Sequence, residues 1–392
     1  MRAVLAVVLV VASGCSQAEV LRRDPVKVGI LHPLSGVLSV PERPAHDGAL
    51  LAIEELNAAG GLRGREIRPV VLDAASEPVA QATRLLAGER VSVVFGGHAS
   101  PVRRQLTPLF EKHRGLLVHP AAYEGIEDSP NVVHVGATPN QLVQPAMRWL
   151  RQHLGRTVYL IGSDDLASRA VNAIARDQLT QLGGRVLGEA YLGADASALP
   201  VLVREIMTSR PQALVCSIAG PVVVSFLHEL TRFGQTPRRL PTLWLPPADP
   251  DAAPPGAYVA RSYFRELPGA ANLSFVHRFR RRFGPQAAIT DAAQAAYAGV
   301  HLWAQAVLRA GSAEPSVVSA ALRGQGVQAP EGMVWVDEEN LHTWRTARVG
   351  RVRADAGVEV VWTSEATLRP VPYPVFRTHR AWTDLVSALA RP

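Results

Sequence analysis

The chain is 392 residues long, 47% apolar and 19% charged, and carries a net charge of +7. Its length exceeds what one hydrophobic core serves and its composition excludes intrinsic disorder, so two globular lobes are expected. The positive charge is nearly all arginine, with Lys27 and Lys112 the only lysines, and it is scattered without regularly spaced aromatic partners; even the densest run, "RFRRRFG" at Arg278 to Gly284, reads as a solvated helix face, which argues against a nucleic-acid partner.

The first segment, "MRAVLAVVLVVASGCSQAE", has one arginine, an apolar stretch and small residues before a cysteine, the layout of a secretory signal over residues 1–14. It is too short to span a bilayer comfortably. Ala12-Ser13-Gly14-Cys15 resembles a bacterial lipoprotein box, with Ala12 in place of the usual branched residue, so Cys15 is the expected lipidation site and residues 15–25 the lipidated N-terminus and linker. The expected location is the extracytoplasmic side of the inner membrane, held there by lipid. Cys216 then has no intrachain disulfide partner. Its setting, "PQALVCSIAG", is an apolar strand pattern that suits a small buried hydrophobe better than a nucleophile.

From Val26 the pattern alternates strand and helix. "VKVGILHPLSG" is an apolar run stopped by glycine, and "AHDGALLAIEELNAAGG" follows with helical spacing and a terminating glycine pair. "REIRPVVLDA", "VSVVFGG", "RGLLVHPA" and "NVVHVGAT" continue the strands. A second series opens at "RTVYLIGSDD" and runs through "RVLGEAYL" and "PQALVCSIAG" with helices between them. Strands alternating with helices predict an α/β fold of two doubly wound lobes, each with a parallel sheet covered on both faces. The Pro-rich "WLPPADPDAAPPG" reads as an irregular surface segment, and "RTARVGRVRADAGVEVVW" as a hairpin turning at "ADAG". Tyr297 and Trp303, at helical spacing in "TDAAQAAYAGVHLWAQAVLRAG", are expected in the core, and His32 as a satisfied loop histidine.

Ligands of open parallel sheets sit beyond the carboxyl ends of the strands. "FGGHASP" lies at such an end: Gly96 and Gly97 close a strand, Ser100 suits a helix N-cap and Pro101 a first helical position. The helix then offers unpaired N–H groups and partial positive charge to a ligand oxygen, unless Ser100 does no more than cap it. No P-loop, dinucleotide fingerprint, nucleophile elbow or H-E-x-x-H motif occurs, and the sequence identifies no third residue to complete a triad with Ser100 and His98. Binding without catalysis is the expectation, and no cofactor is implied.

"AIEELNAAGGLRGREIRPVVLD", "YEGIEDSPNVVHVGATPNQ", "APEGMVWVDEENLHTWRTARVGRVRADAGVEVVW" and "LRPVPYP" resemble the urea and short-chain-amide branch of the type I periplasmic solute-binding proteins, over Val26 to Pro374. The resemblance implies lobes joined by three crossings, near Gly136 to Pro139, Tyr258 to Leu267 and Ala329 to Gly332, and closing over ligand. It divides the chain into a first lobe of 26–137 and 267–331, a second of 138–266 and 332–375, and a tail of 376–392. It also implies an ABC importer, with permease and ATPase subunits as partners and a small nitrogenous solute as cargo. The implied ligand residues are Ser35, His98, Ser100, His119, Tyr123, Asp165 and Asp249. Relatives carry aromatic residues where this chain has His98, His119 and Asp165. A desolvated Asp165 repels a carboxylate and needs an N–H donor or cation opposite, which favours urea, an amide or an amidine-like compound. The alternatives are a metal held by His98, His119 and Asp165, a degenerate pocket without a ligand, a periplasmic sensing subunit, and a secreted amide hydrolase using Ser100.

Overall fold

The computed structural model describes residues 24–36, 38–97, 100–193, 195, 197–247 and 252–389. Strands β1 (Val26–His32), β2 (Ile67–Asp73), β3 (Val94–Gly96), β4 (Leu117–His119) and β5 (Val132–His134) form a parallel sheet ordered β2-β1-β3-β4-β5. Helix α1 (Ser39–Ala58) follows β1, the short α2 (Pro78–Thr83) continues into a π-turn at Arg84–Gly88, and α3 (Ser100–His113) follows β3. α1 starts before the predicted "AHDGALL" because Pro41 falls in its first turn, where a backbone N–H has no helical partner to lose.

Both faces of this sheet are buried along its inner strands, which are near-continuously apolar, while the edge strand β2 is partly exposed. Val28, Ile30, Phe95 and Val118 pack into one cluster with α1, and Leu31, Val94, Leu117 and Val132 into another with α2 and α3. The chain then crosses to α4 (Val143–His153), β6 (Thr157–Ser163), α5 (Leu166–Gln181), β7 (Arg185–Leu192), α6 (Leu199–Ser209), β8 (Ala213–Ser217), α7 (Val222–Arg232), β9 (Thr242–Trp244) and β10 (Tyr258–Arg261). It returns to the first lobe as α8 (Ala270–Phe283), α9 (Asp291–Ala310) and α10 (Pro315–Leu322); α9 lies along α1 and reaches β3 and β4. Trp303 meets Phe95 edge-on in that core, and Tyr297 is buried beside Arg278 and Glu55, both as expected.

The third crossing falls later than expected. β11 (Gly326–Ala329) and β12 (Gly332–Val336) form an antiparallel hairpin, and β12 pairs with β13 (Thr343–Trp344), so Ala329 to Gly332 is a turn within the first lobe. Only β14 (Arg348–Val352) and β15 (Val358–Thr363) enter the second sheet, whose order is β15-β14-β10-β9-β8-β6-β7, with the expected hairpin turn before Gly357. The stretch 376–392, read as a tail, instead contains α11 (His379–Leu389). Trp382 is fully buried there, and Arg377 pairs with Asp177 of α5 at 2.7 Å. Cys216 is buried in β8, where desolvation pushes its thiol well above the ordinary range.

The crossings share one buried charged junction. Arg345 donates to the Val135 carbonyl in the first crossing and to Asp291 and Glu331 of the first lobe, while Arg348 donates to the Ser262 carbonyl in the second crossing and to the Glu331 carbonyl. Among the described residues, no helix is long and apolar enough to cross a membrane.

Candidate functional site

At the end of β3, Gly96 and Gly97 hold φ of 150° and 75°, and a Cβ on Gly96 would stand 2.0 Å from the Leu31 carbonyl oxygen. Glycine is therefore required where the strand turns into α3. Ser100 is the first residue of α3, one position inside the N-cap expected for it, and its hydroxyl bonds both beyond its helix and within it. It donates to Glu124 Oε2 at 2.6 Å and receives Arg103 Nη1 at 3.3 Å.

Arg103, one turn into α3 and fully buried, organises the wall around it. It donates to Glu124 Oε1 at 2.7 Å and, through Nε, to Glu127 Oε1 at 2.9 Å; Arg104 adds a contact of 3.4 Å to Glu124. Burial alone would raise the Glu124 carboxyl, but the adjacent guanidinium and the Ser100 hydroxyl outweigh it and hold the group below its ordinary value. Arg103 also lies 4.7 Å from the ring centre of Tyr123, a cation–π contact.

Strand register lines up the imidazoles. His119 and His134 are paired neighbours at the ends of β4 and β5, and His134 bridges to His342. Tyr123 stacks on His134 at 4.4 Å and His134 on His342 at 4.4 Å, with His119 edge-on to both Tyr123 and His134. His342 Nδ1 lies 2.7 Å from the Asn340 carbonyl, which only accepts, so Nε2 is the acceptor for the Tyr123 hydroxyl at 2.5 Å. Burial depresses His342 to about 4, and depresses His134 well below its ordinary value with help from His342, His119 and Arg103. These rings are held neutral.

On the second lobe, Asp165 is the N-cap of α5. Its carboxylate accepts the Ser168 N–H at 2.8 Å and the Ser168 hydroxyl at 3.3 Å. The donor it needs is thus supplied from its own first helical turn. Desolvation raises its pKa, and the charge of Glu124 on the opposite lobe adds to the rise. α3 and α5 are in contact, so the two walls meet.

Ser35 sits at the exposed end of β1 and donates to Asp73 Oδ2 at 2.6 Å. His32 proves to be a buried strand-end residue, with Nδ1 2.9 Å from Glu42 Oε2. Cys15, His98 and Asp249 lie outside the described residues. Among the described residues, no group of three or more His, Cys, Asp or Glu side chains is arranged to hold a metal ion. The structure thus joins Ser100, His119 and Tyr123 in one buried wall and sets Asp165 on the other lobe, while Ser35 stands apart with Asp73. The sequence reading missed Arg103, Glu124, Glu127, His134 and His342. The buried stripe Ser100, Arg103, Leu106 and Phe110 was the available signal, since it places Arg103 on the inner face of α3.

A family model described as a periplasmic binding protein domain matches residues 26–379. The chain belongs to that family. It is a binding protein and not an enzyme. Over 343 residues it is 22% identical to the leucine-, isoleucine-, valine-, threonine- and alanine-binding protein of Pseudomonas aeruginosa, covering 81% of this chain and 87% of that one. A shorter match of 117 residues, 27% identical, links it to a protein named limonene hydroxylase from Geobacillus stearothermophilus, over 30% of this chain and only 21% of that protein. The fold is similar to a solute-binding protein of an ABC transporter from Rhodopseudomonas palustris HaA2 solved with p-hydroxybenzoic acid; its TM-score is 0.77 at 20% identity, covering 88% of this chain and 98% of that one.

Proposed function

We propose that this protein is the extracytoplasmic solute-binding subunit of an ABC importer, tethered through Cys15, and that it captures urea, a short-chain amide or a related small nitrogenous solute between its lobes. The observation that carries the reading is the meeting of two walls at strand and helix ends: Ser100 with Glu124 on the first lobe, Asp165 on the second. The signal-like first segment and the transporter proteins of like fold support the export and import parts. A guest without a carboxylate suits this closure, because a guest carboxylate meets Asp165 in a desolvated setting. The closed wall is also a poor catalytic apparatus, since the Ser100 hydroxyl faces a carboxylate already held by Arg103.

A thermal-shift screen of urea, acetamide, amino acids and divalent metals tests the reading. A true ligand at 100 times its Kd adds roughly 2.7 kcal/mol of stability. Asp165→Tyr should strengthen amide binding by restoring an aromatic wall. The proposal fails if amino acids stabilise the chain and urea and amides do not.

A further inference from the structure

A cavity of about 520 Å³ opens between the first half of α1 and the end of α8, within the size range of small-molecule sites. It shares no lining residue with the interlobe walls. Its apolar surface includes Leu50 and Phe283. Arg43 stands exposed at its edge and, among the described residues, has neither an ion pair nor a hydrogen bond. Arg282 also lines it but is spent on Glu54, through bonds of 2.7 and 2.8 Å.

His46 supplies a second polar feature. It is buried apart from an edge, and its Nδ1 lies 2.8 Å from Asp47 Oδ1. A carboxylate only accepts, so Nδ1 carries a proton, and Nε2 is the ring's remaining polar atom, able to bond a guest hydroxyl as acceptor or as donor. Among the described residues nothing donates to that nitrogen. The cavity therefore combines an unsatisfied guanidinium, an imidazole nitrogen without a protein partner among the described residues, and an apolar surface.

We propose that this cavity is a second binding site, for a small amphipathic carboxylate that also carries a hydroxyl group. The carboxylate pairs with Arg43, the hydroxyl bonds His46 Nε2, and the hydrocarbon body lies on Leu50 and Phe283. This site does not depend on the interlobe reading.

Isothermal titration of the full chain with 3-(4-hydroxyphenyl)propionate is the test. Binding is expected, weakened about tenfold or more by Arg43→Glu, and weakened likewise when the probe is replaced by 3-phenylpropionate, which lacks the hydroxyl, or by tyramine, which reverses the charge. The probe comparison leaves His46 in place, so it does not hinge on a variant that fails to fold. Absence of binding at millimolar probe overturns the proposal, as does binding that ignores Arg43→Glu but disappears in Ser100→Ala, which would place the probe between the lobes.

Discussion

On the first lobe, Glu124 is held by Ser100 and Arg103, 24 and 21 positions away on another element, while on the second Asp165 is held by Ser168, three positions along its own helix. The first arrangement exists only when β3, α3 and the loop after β4 are packed together. The second survives wherever α5 is helical. One wall is therefore rigid and costly to disturb, and the other is a local cap whose side chain is exchangeable. Sequence change costs least at Asp165.

The sharpest way to break this comparison is to remove the buried cation. Arg103→Met leaves Glu124 and Glu127 without their main partner, and thermal unfolding should show a loss of about 3 to 5 kcal/mol. Acid is the next lever. A histidine whose pKa is lowered by folding lets the unfolded chain take up more protons, so its stabilisation is complete above about pH 6.5 and falls as the pH drops toward 4. For His342 the loss amounts to about 3 kcal/mol, and it should vanish from the pH profile of unfolding in His342→Gln. Tyr123→Phe removes the hydroxyl that serves His342 Nε2 and should cost about 1 to 3 kcal/mol. Asp165→Ala, losing only a helix cap, should cost about 1 kcal/mol, and Asp165→Asn less. Equal losses for Arg103→Met and Asp165→Ala would erase the distinction between the walls.

Much of this was legible from residues alone. Alternating apolar strands and glycine-stopped helices foretold two sheets of mainly parallel strands, because burial on both faces leaves strands such as Val26–His32 largely apolar, while β14 and β15 add an antiparallel edge to the second. The crossing that the family resemblance implies at Ala329 to Gly332 is instead the β11–β12 turn, since "APEG" suits a reversal as well as a departure and the hairpin pairing of Val327 with Val334 decides. The charged wall was hidden for a related reason. Arg103 sits in "PVRRQLTPLFEKH", which looks solvated until its partners, Glu124 and Glu127, are folded against it. His134 and His342 lie far apart along the chain and meet only through strand register.

The junction formed by Arg345 and Arg348 bears on how such a two-lobed body can move. Its donors reach carbonyls of both other connecting segments at one buried point, so a swing of one lobe about that point leaves these bonds intact. A pivot of this kind contributes equally to every degree of opening. The balance between open and shut then belongs to the surfaces farthest from the axis, where a captured molecule has the greatest leverage.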